Sequence, residues 1–155
     1  MAMDEVIIRF AEPTDGPELA RLRWQLKNEE AQAGLGYARF KKAFLAWWAE
    51  AAEAGWLVVV AERDAQLIGN AWLFTVPKVP APHDPHATMA YLTNVYVEPD
   101  LRGQGLGTRL LAAARSAAEK QGHEIVMTWP SEPSLTIFQR AGYVPSRDVW
   151  ELALG

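Results

Sequence analysis

Three alternating glycines, Gly103, Gly105 and Gly107, stand between a run that reads as a strand, 89–97, and one that reads as a helix, 106–121. No other feature constrains the fold as much. A strand that turns within a few residues into a helix is a joint of an α/β layer, and both elements then need apolar cover. The first four amides of a helix have no partner inside it. A glycine leaves such amides open to an anion because it carries no Cβ. Each amide bonded to a charged oxygen contributes about 1.5–3 kcal/mol, and the helix dipole adds about 0.3–2 kcal/mol. A tight connection without a ligand needs one glycine, not three, so the turn is expected to hold a phosphate or diphosphate.

The elements around this joint follow from periodicity. Val6, Ile8 and Phe10 alternate with Ile7 and Arg9 as a first strand. Asp15 and Glu18 have capping-box spacing, with Pro17 in the first turn, and Leu19, Leu22 and Leu26 predict a helix to about residue 31. Gly34 and Gly36 break it. Phe40, Phe44, Trp47, Trp48 and Ala51 give a second helix one apolar face, ending before Gly55. The runs 56–62 and 67–76, joined at Asp64 and Ala65, predict an antiparallel hairpin. Four prolines, Pro77, Pro80, Pro82 and Pro85, force an irregular loop. After the long helix and Gly122 come a strand at 124–129, a short helix at 134–140, and closing strands at 143–144 and 149–154. The order predicts a mixed α/β sheet with helices on its faces, in a single domain over 1–155.

Composition narrows the function. Hydrophobic residues make up 50% of the 155 and charged residues 22%, the balance of a globular chain. A net charge of −4 argues against indiscriminate binding to nucleic-acid backbones, which needs a basic excess. The absence of cysteine excludes disulfides, thiolate zinc sites and a cysteine nucleophile, and fits a reducing cytoplasm. The longest strongly apolar run, 56–61, is too short to span a membrane, and the acidic first residues do not read as a signal peptide. A soluble cytoplasmic protein is expected. His83, Asp84 and His86 offer three potential ligands from one proline-rich loop, and the expectation there is solvated surface with no metal.

Three phosphate motifs compete for the turn. A P-loop needs Gly-Lys before Ser or Thr, but Thr108 follows Gly107 directly. The dinucleotide pattern G-x-G-x-x-G fails at Thr108 and normally opens its domain. The pattern Arg-x-x-Gly-x-Gly fits fully at Arg102, Gly105 and Gly107. With the preceding LTNVYVEP, the following TRLL, and the stretch from Ile137 through Phe138 and Gly142 to Tyr143, the chain resembles the GNAT superfamily of acyl-CoA-dependent N-acyltransferases along essentially its whole length. The resemblance implies that family's fold, with six to seven mostly antiparallel strands and about four helices.

It also implies a function: transfer of an acetyl group from acetyl-CoA to a primary amine, on a small molecule or a protein. The backbone of Val95, Tyr96 and Val97 would pair with the pantetheine arm where the strand parts from its neighbour. The amides of Gly103, Gln104, Gly105, Leu106, Gly107 and Thr108 would hold the diphosphate, with Arg102 beside it. Ser131 and Ser134 would either bond the arm or cap the short helix. The Val97 amide is the implied donor to the oxyanion. Homodimers are frequent among look-alike enzymes, and nothing in the sequence specifies one.

Two positions depart from the pattern. Phe138 stands where the family places a tyrosine acid, though it remains a candidate cofactor contact. Tyr91 stands where many relatives place a glutamate base, and a phenol is a weak base at neutral pH. By strand parity Tyr91 is expected on the same face as Thr93, Val95 and Val97. These departures keep open a catalytically silent acyl-CoA-binding module, while the missing P-loop lysine argues against a nucleotide-binding domain. Glu29 and Glu30, near the acceptor side in relatives, read more simply as a solvated helix end. Of the seven tryptophans, one or two are expected at the acceptor site.

Overall fold

The structure, a computed structural model, describes residues 5–30 and 36–155. Its centre is a five-stranded sheet in the order β1 (Ile7–Phe10), β2 (Trp56–Arg63), β3 (Gln66–Pro77), β4 (Thr88–Val97) and β5 (Val126–Met127). The first three pairings are antiparallel and β4–β5 is parallel. Asp64 and Ala65 both adopt positive φ, the conformation a two-residue hairpin turn demands, so β2 and β3 pair as the sequence predicts.

Helices cover both faces. On one lie α1 (Gly16–Glu30) and α2 (Tyr37–Ala54), and on the other lie α3 (Leu106–Lys120) and α4 (Leu135–Arg140). α3 repeats Leu106, Leu110, Leu111, Ala114, Ala117 and Ala118 at helical spacing, and all six are buried against Val59, Ala71, Leu73 and Leu92. Leu19, Leu22 and Phe44 from α1 and α2 close over Val58, Val60 and Trp72 on the opposite face. The start of α1 differs from the expected capping box. Glu12 and Asp15 form the box on the short 3-10 turn Pro13–Asp15, while Glu18 pairs with Arg21. Asp15 is claimed from the other side by Arg9, at 2.8 Å.

The six to seven strands implied by resemblance are five among the described residues. The strand expected at 124–129 narrows to Val126–Met127, and no strand forms at 143–144 or 149–154. The reason is local. Pro145 has no amide to donate, the Asp148 amide turns back to Ser146 Oγ at 3.2 Å, and Trp150 is left 92% exposed. The Gly34 break and the side chains of Glu29 and Glu30 lie outside the described residues.

Candidate active site

The site grows from a defect in β4. Trp72 pairs with Thr93 and Asn70 with Tyr96, so two residues of β4, Asn94 and Val95, oppose Ala71 alone. This is a β-bulge, and Asn94 takes the positive φ of 53° that it imposes. The buried Asn70 amide holds it there, donating from Nδ2 to the Asn94 carbonyl at 2.7 Å. The bulge overturns the parity argument made from the sequence. Tyr91 and Thr93 register with Phe74 and Trp72. Val95 and Val97 instead pack into the α3 core. Tyr96 goes to the α1 side. The extra residue shifts the alternation by one.

Where the bulge lies, β4 has already left β5. Their last ladder pair among the described residues is Tyr91 with Met127, and β4 runs on past it to Val97. The Glu98 amide bonds to Ile68 of β3. Since successive backbone groups of a strand point to opposite sides, those of Val97 point into the gap. The Val97 carbonyl accepts from Arg102 Nε at 2.8 Å, and the guanidinium lies 5.3 Å from the Tyr96 ring centre. Arg102 thus reaches back along the gap from the start of the glycine turn.

The glycines of that turn have two different duties. Gly103 and Gly105 adopt φ of 77° and 83°, and a Cβ on either meets nothing within 4 Å: both face open space in a conformation that disfavours side chains. Gly105 is the N-cap of α3. Gly107 is a packing glycine, where a Cβ would lie 2.5 Å from Ile137 Cδ1 of α4. Gln104 and Thr108 are exposed, whereas the Leu106 side chain is buried, leaving only its backbone to serve a ligand.

The other predicted residues take more structural places. Phe138 is 5% exposed and meets Tyr143 edge-to-face at 5.2 Å. Burial pushes the Tyr143 hydroxyl above its usual pKa. Ser131 and Ser134 bond to each other at 3.0 Å, and Ser134 Oγ donates to the Ser131 carbonyl at 2.8 Å. The structure thus joins them locally ahead of α4. Tyr91 lies edge-on to Trp129, their ring centres 5.1 Å apart. In the proline loop, Asp84 accepts from the His86 amide, and no group of three or more His, Cys, Asp or Glu among the described residues is arranged to hold a metal.

On the α1–α2 face, next to the bulge, is a cavity of about 180 Å³. Phe44, Trp47, Trp56 and Trp72 wall it, and Thr93 and Asn94 of β4 border it with Arg23 of α1. Trp72 is the hub of the aromatic cluster, with ring centres of Phe44, Trp47 and Trp56 5.7–6.1 Å away. Arg23 Nη1 donates to Asn94 Oδ1 at 3.2 Å. Arg23 and Asn70 escaped the sequence reading. A single asparagine within the apolar run Leu67–Leu73 was the available signal for Asn70, whereas Arg23 had none.

Comparison with known proteins places the chain in a family. The profile described as Acetyltransferase (GNAT) family matches residues 17–143, and the chain belongs to that family. Its fold is shared with a predicted acetyltransferase from Clostridium acetobutylicum, solved with acetyl-CoA, at TM-score 0.80 and 20% identity, covering 96% of both chains. A GCN5-related N-acetyltransferase from Ralstonia eutropha is similar at TM-score 0.78 and 21% identity, over 97% of this chain and 100% of that one. A curated relative, an uncharacterized N-acetyltransferase from Methanocaldococcus jannaschii, is 33% identical over 58 residues. That match takes in 36% of this chain and spans about a quarter of the relative, 26% of its length. No helix among the described residues is long and apolar enough to cross a membrane.

Proposed function

We propose that the chain transfers an acetyl group from acetyl-CoA to a primary amine. The observation that carries this reading is the alignment of the β4–β5 gap with the open amides at the head of α3. The glycine turn fits a diphosphate because a Cβ at Gly103 or Gly105 would project into space that nothing in the fold fills. Amides of residues 103–108 would bind the two phosphates, and Val95 and Val97 would present backbone groups to the amides of the arm. The Arg102 guanidinium, already at the Val97 carbonyl, sits between these two regions.

When bound, acetyl-CoA supplies a thioester carbonyl and a thiolate leaving group. The new bond joins the amine nitrogen to the acetyl carbon, the C–S bond breaks, and the amine proton passes to solvent. The Val97 amide, facing the gap, donates to the oxygen on which charge develops. Phe138 has no proton to give, so the sulfur leaves as thiolate, which a thiol with pKa near about 8.5 tolerates. General acid assistance is typically worth about 10²–10⁴, so its absence slows the reaction without forbidding it. Tyr91 serves as a polar relay on the α1–α2 face.

Phe138 also favours a second reading, a module that binds acyl-CoA without turning it over. Incubation with acetyl-CoA and a thiol-detecting reagent across an amine panel separates the two. Amine-dependent thiol release supports the transferase. Binding of coenzyme A without release on any amine supports the silent module.

A further inference from the structure

We infer that residues 149–154 of one copy pair with the outer edge of β5 in a second copy, so that two chains exchange these segments as a dimer. The inference does not depend on the acetyl-transfer reading. Two features of the structure carry it, and each supplies what the other lacks. The first is β5. It ends the sheet among the described residues and pairs with β4 through two residues. The Ala90 amide donates to the Ile125 carbonyl at 2.9 Å. Successive backbone groups of a strand point to opposite sides, so the N–H and C=O of Val126 point away from β4. Such an edge is a template for another strand. Beside it, on the face that carries α3, lies a groove of about 380 Å³. Ala118, Val126, Ala141 and Tyr143 give it an apolar lining, and Arg115 and Glu119 also line it, paired with each other at 2.9 Å.

The second feature is the segment itself. Trp150, Leu152 and Leu154 are 92%, 81% and 87% exposed. Spaced two apart, they share one face of an extended strand, with Glu151 on the other. Apolar side chains gathered in this way at a surface mark an interaction site. Laid along β5, the segment brings a backbone donor and acceptor to Val126 and turns those three side chains into the groove. A second copy is the occupant because the bend at Arg147 and Asp148 leaves the segment clear of its own sheet. There the Asp148 amide is held by Ser146 Oγ at 3.2 Å. The contact is self-complementary, since each copy offers both a segment and an edge, and one two-fold operation satisfies both chains. Size agrees. An aromatic side chain alone buries about 150–250 Å². Three side chains from each copy, with the surface they cover, come to roughly 1,500 Å², the size of a standard stable interface.

The test is hydrodynamic and uses the chain without added ligand. Sedimentation equilibrium in the micromolar range should give twice the mass of 17.2 kDa. Deleting residues 149–155 should give the single mass with helical circular dichroism kept. In the full chain, Trp150→Ser should weaken association by about tenfold or more. A single mass for the full chain at every concentration would overturn the inference, and so would a dimer that survives either change. A mixed sample separates exchange from closure within one chain. The chain has no cysteine, so a nitroxide can be placed on Glu151→Cys alone. Carried by one chain, it should broaden the Val126 and Ala141 amides of a second, isotope-labelled chain. Broadening confined to samples in which label and nitroxide share a chain would seat the segment in its own groove and overturn the exchange. Should the shortened chain fail to fold, Trp150→Ser and the mixed sample still decide.

Discussion

Replacing Gly105 with alanine separates the two properties the glycine turn is supposed to combine. Gly105 has φ 83° and open space where a Cβ would stand. The folding cost is therefore backbone strain alone, about 1–2 kcal/mol for a left-handed residue with a Cβ. At this chain length each kcal/mol moves Tm by about 2–4 °C, so a drop of about 2–8 °C is expected. Gly122, just past the end of α3, supplies the control, with φ 75° and nothing within 4 Å of its Cβ. Gly122→Ala should lower Tm by a similar amount. The difference lies in ligand affinity. If the Gly105 methyl holds the diphosphate off one amide, about 1.5–3 kcal/mol is lost, which is about 10- to 150-fold in Kd. Calorimetric titration with coenzyme A should show that loss for Gly105→Ala and none for Gly122→Ala. Equal affinities in the two variants would refute the assignment of the turn as the diphosphate site.

Gly107→Ala should destabilise by about 1 kcal/mol, because its methyl would meet only the movable end of Ile137, 2.5 Å away. Denaturant unfolding should show Ile137→Ala recovering part of that loss in the double variant, and strict additivity would contradict the contact. Phe138→Tyr buries a hydroxyl in the core and should lower Tm. Native turnover must nonetheless be measurable, and thiol release by the variant alone would show that the native chain lacks activity. Asp15 is held below the ordinary carboxylate range chiefly by its hydrogen bonds to Arg9. Its depressed value means that its stabilisation is full above the unfolded pKa of about 3.9 and disappears as pH falls through the folded value. Asp15→Asn should therefore lower Tm at pH 7 and narrow the gap to wild type in strong acid, and a Tm difference that stays constant down to the acid limit would contradict this.

Much of the layout was legible because helices and hairpins announce themselves locally. Gly55 ends α2, Asp64 and Ala65 turn the hairpin, and Gly105 opens α3, each from residues within a few positions. The face assignments of β4 were not legible in the same way. Alternation is a reliable guide only while the ladder is regular. The bulge at Asn94 is fixed by Asn70, which is 24 positions away. Nothing in the local pattern of β4 says which residue absorbs the extra step, so Tyr91 and Val97 were placed on one face when they lie on two. The cavity was illegible for a similar reason. Arg23 comes from α1, Trp47 from α2, Trp72 from β3 and Asn94 from β4, and only the folded sheet brings them together. The closing strands failed for the opposite reason: their residues are apolar enough to read as strands, but β5 pairs through only two residues of β4 and Pro145 interrupts the approach.

The central claim is that exposed main-chain amides, rather than charged side chains, seize the cosubstrate. An amide-resolved NMR titration with coenzyme A tests it most directly. The account predicts that the largest shifts fall on the amides of Gly103 to Thr108 and on those of Val95 and Val97, with Gly122 and Asp64 unmoved. Saturating coenzyme A that leaves the Gly103 to Thr108 amides in place, or shifts a different surface, would contradict it.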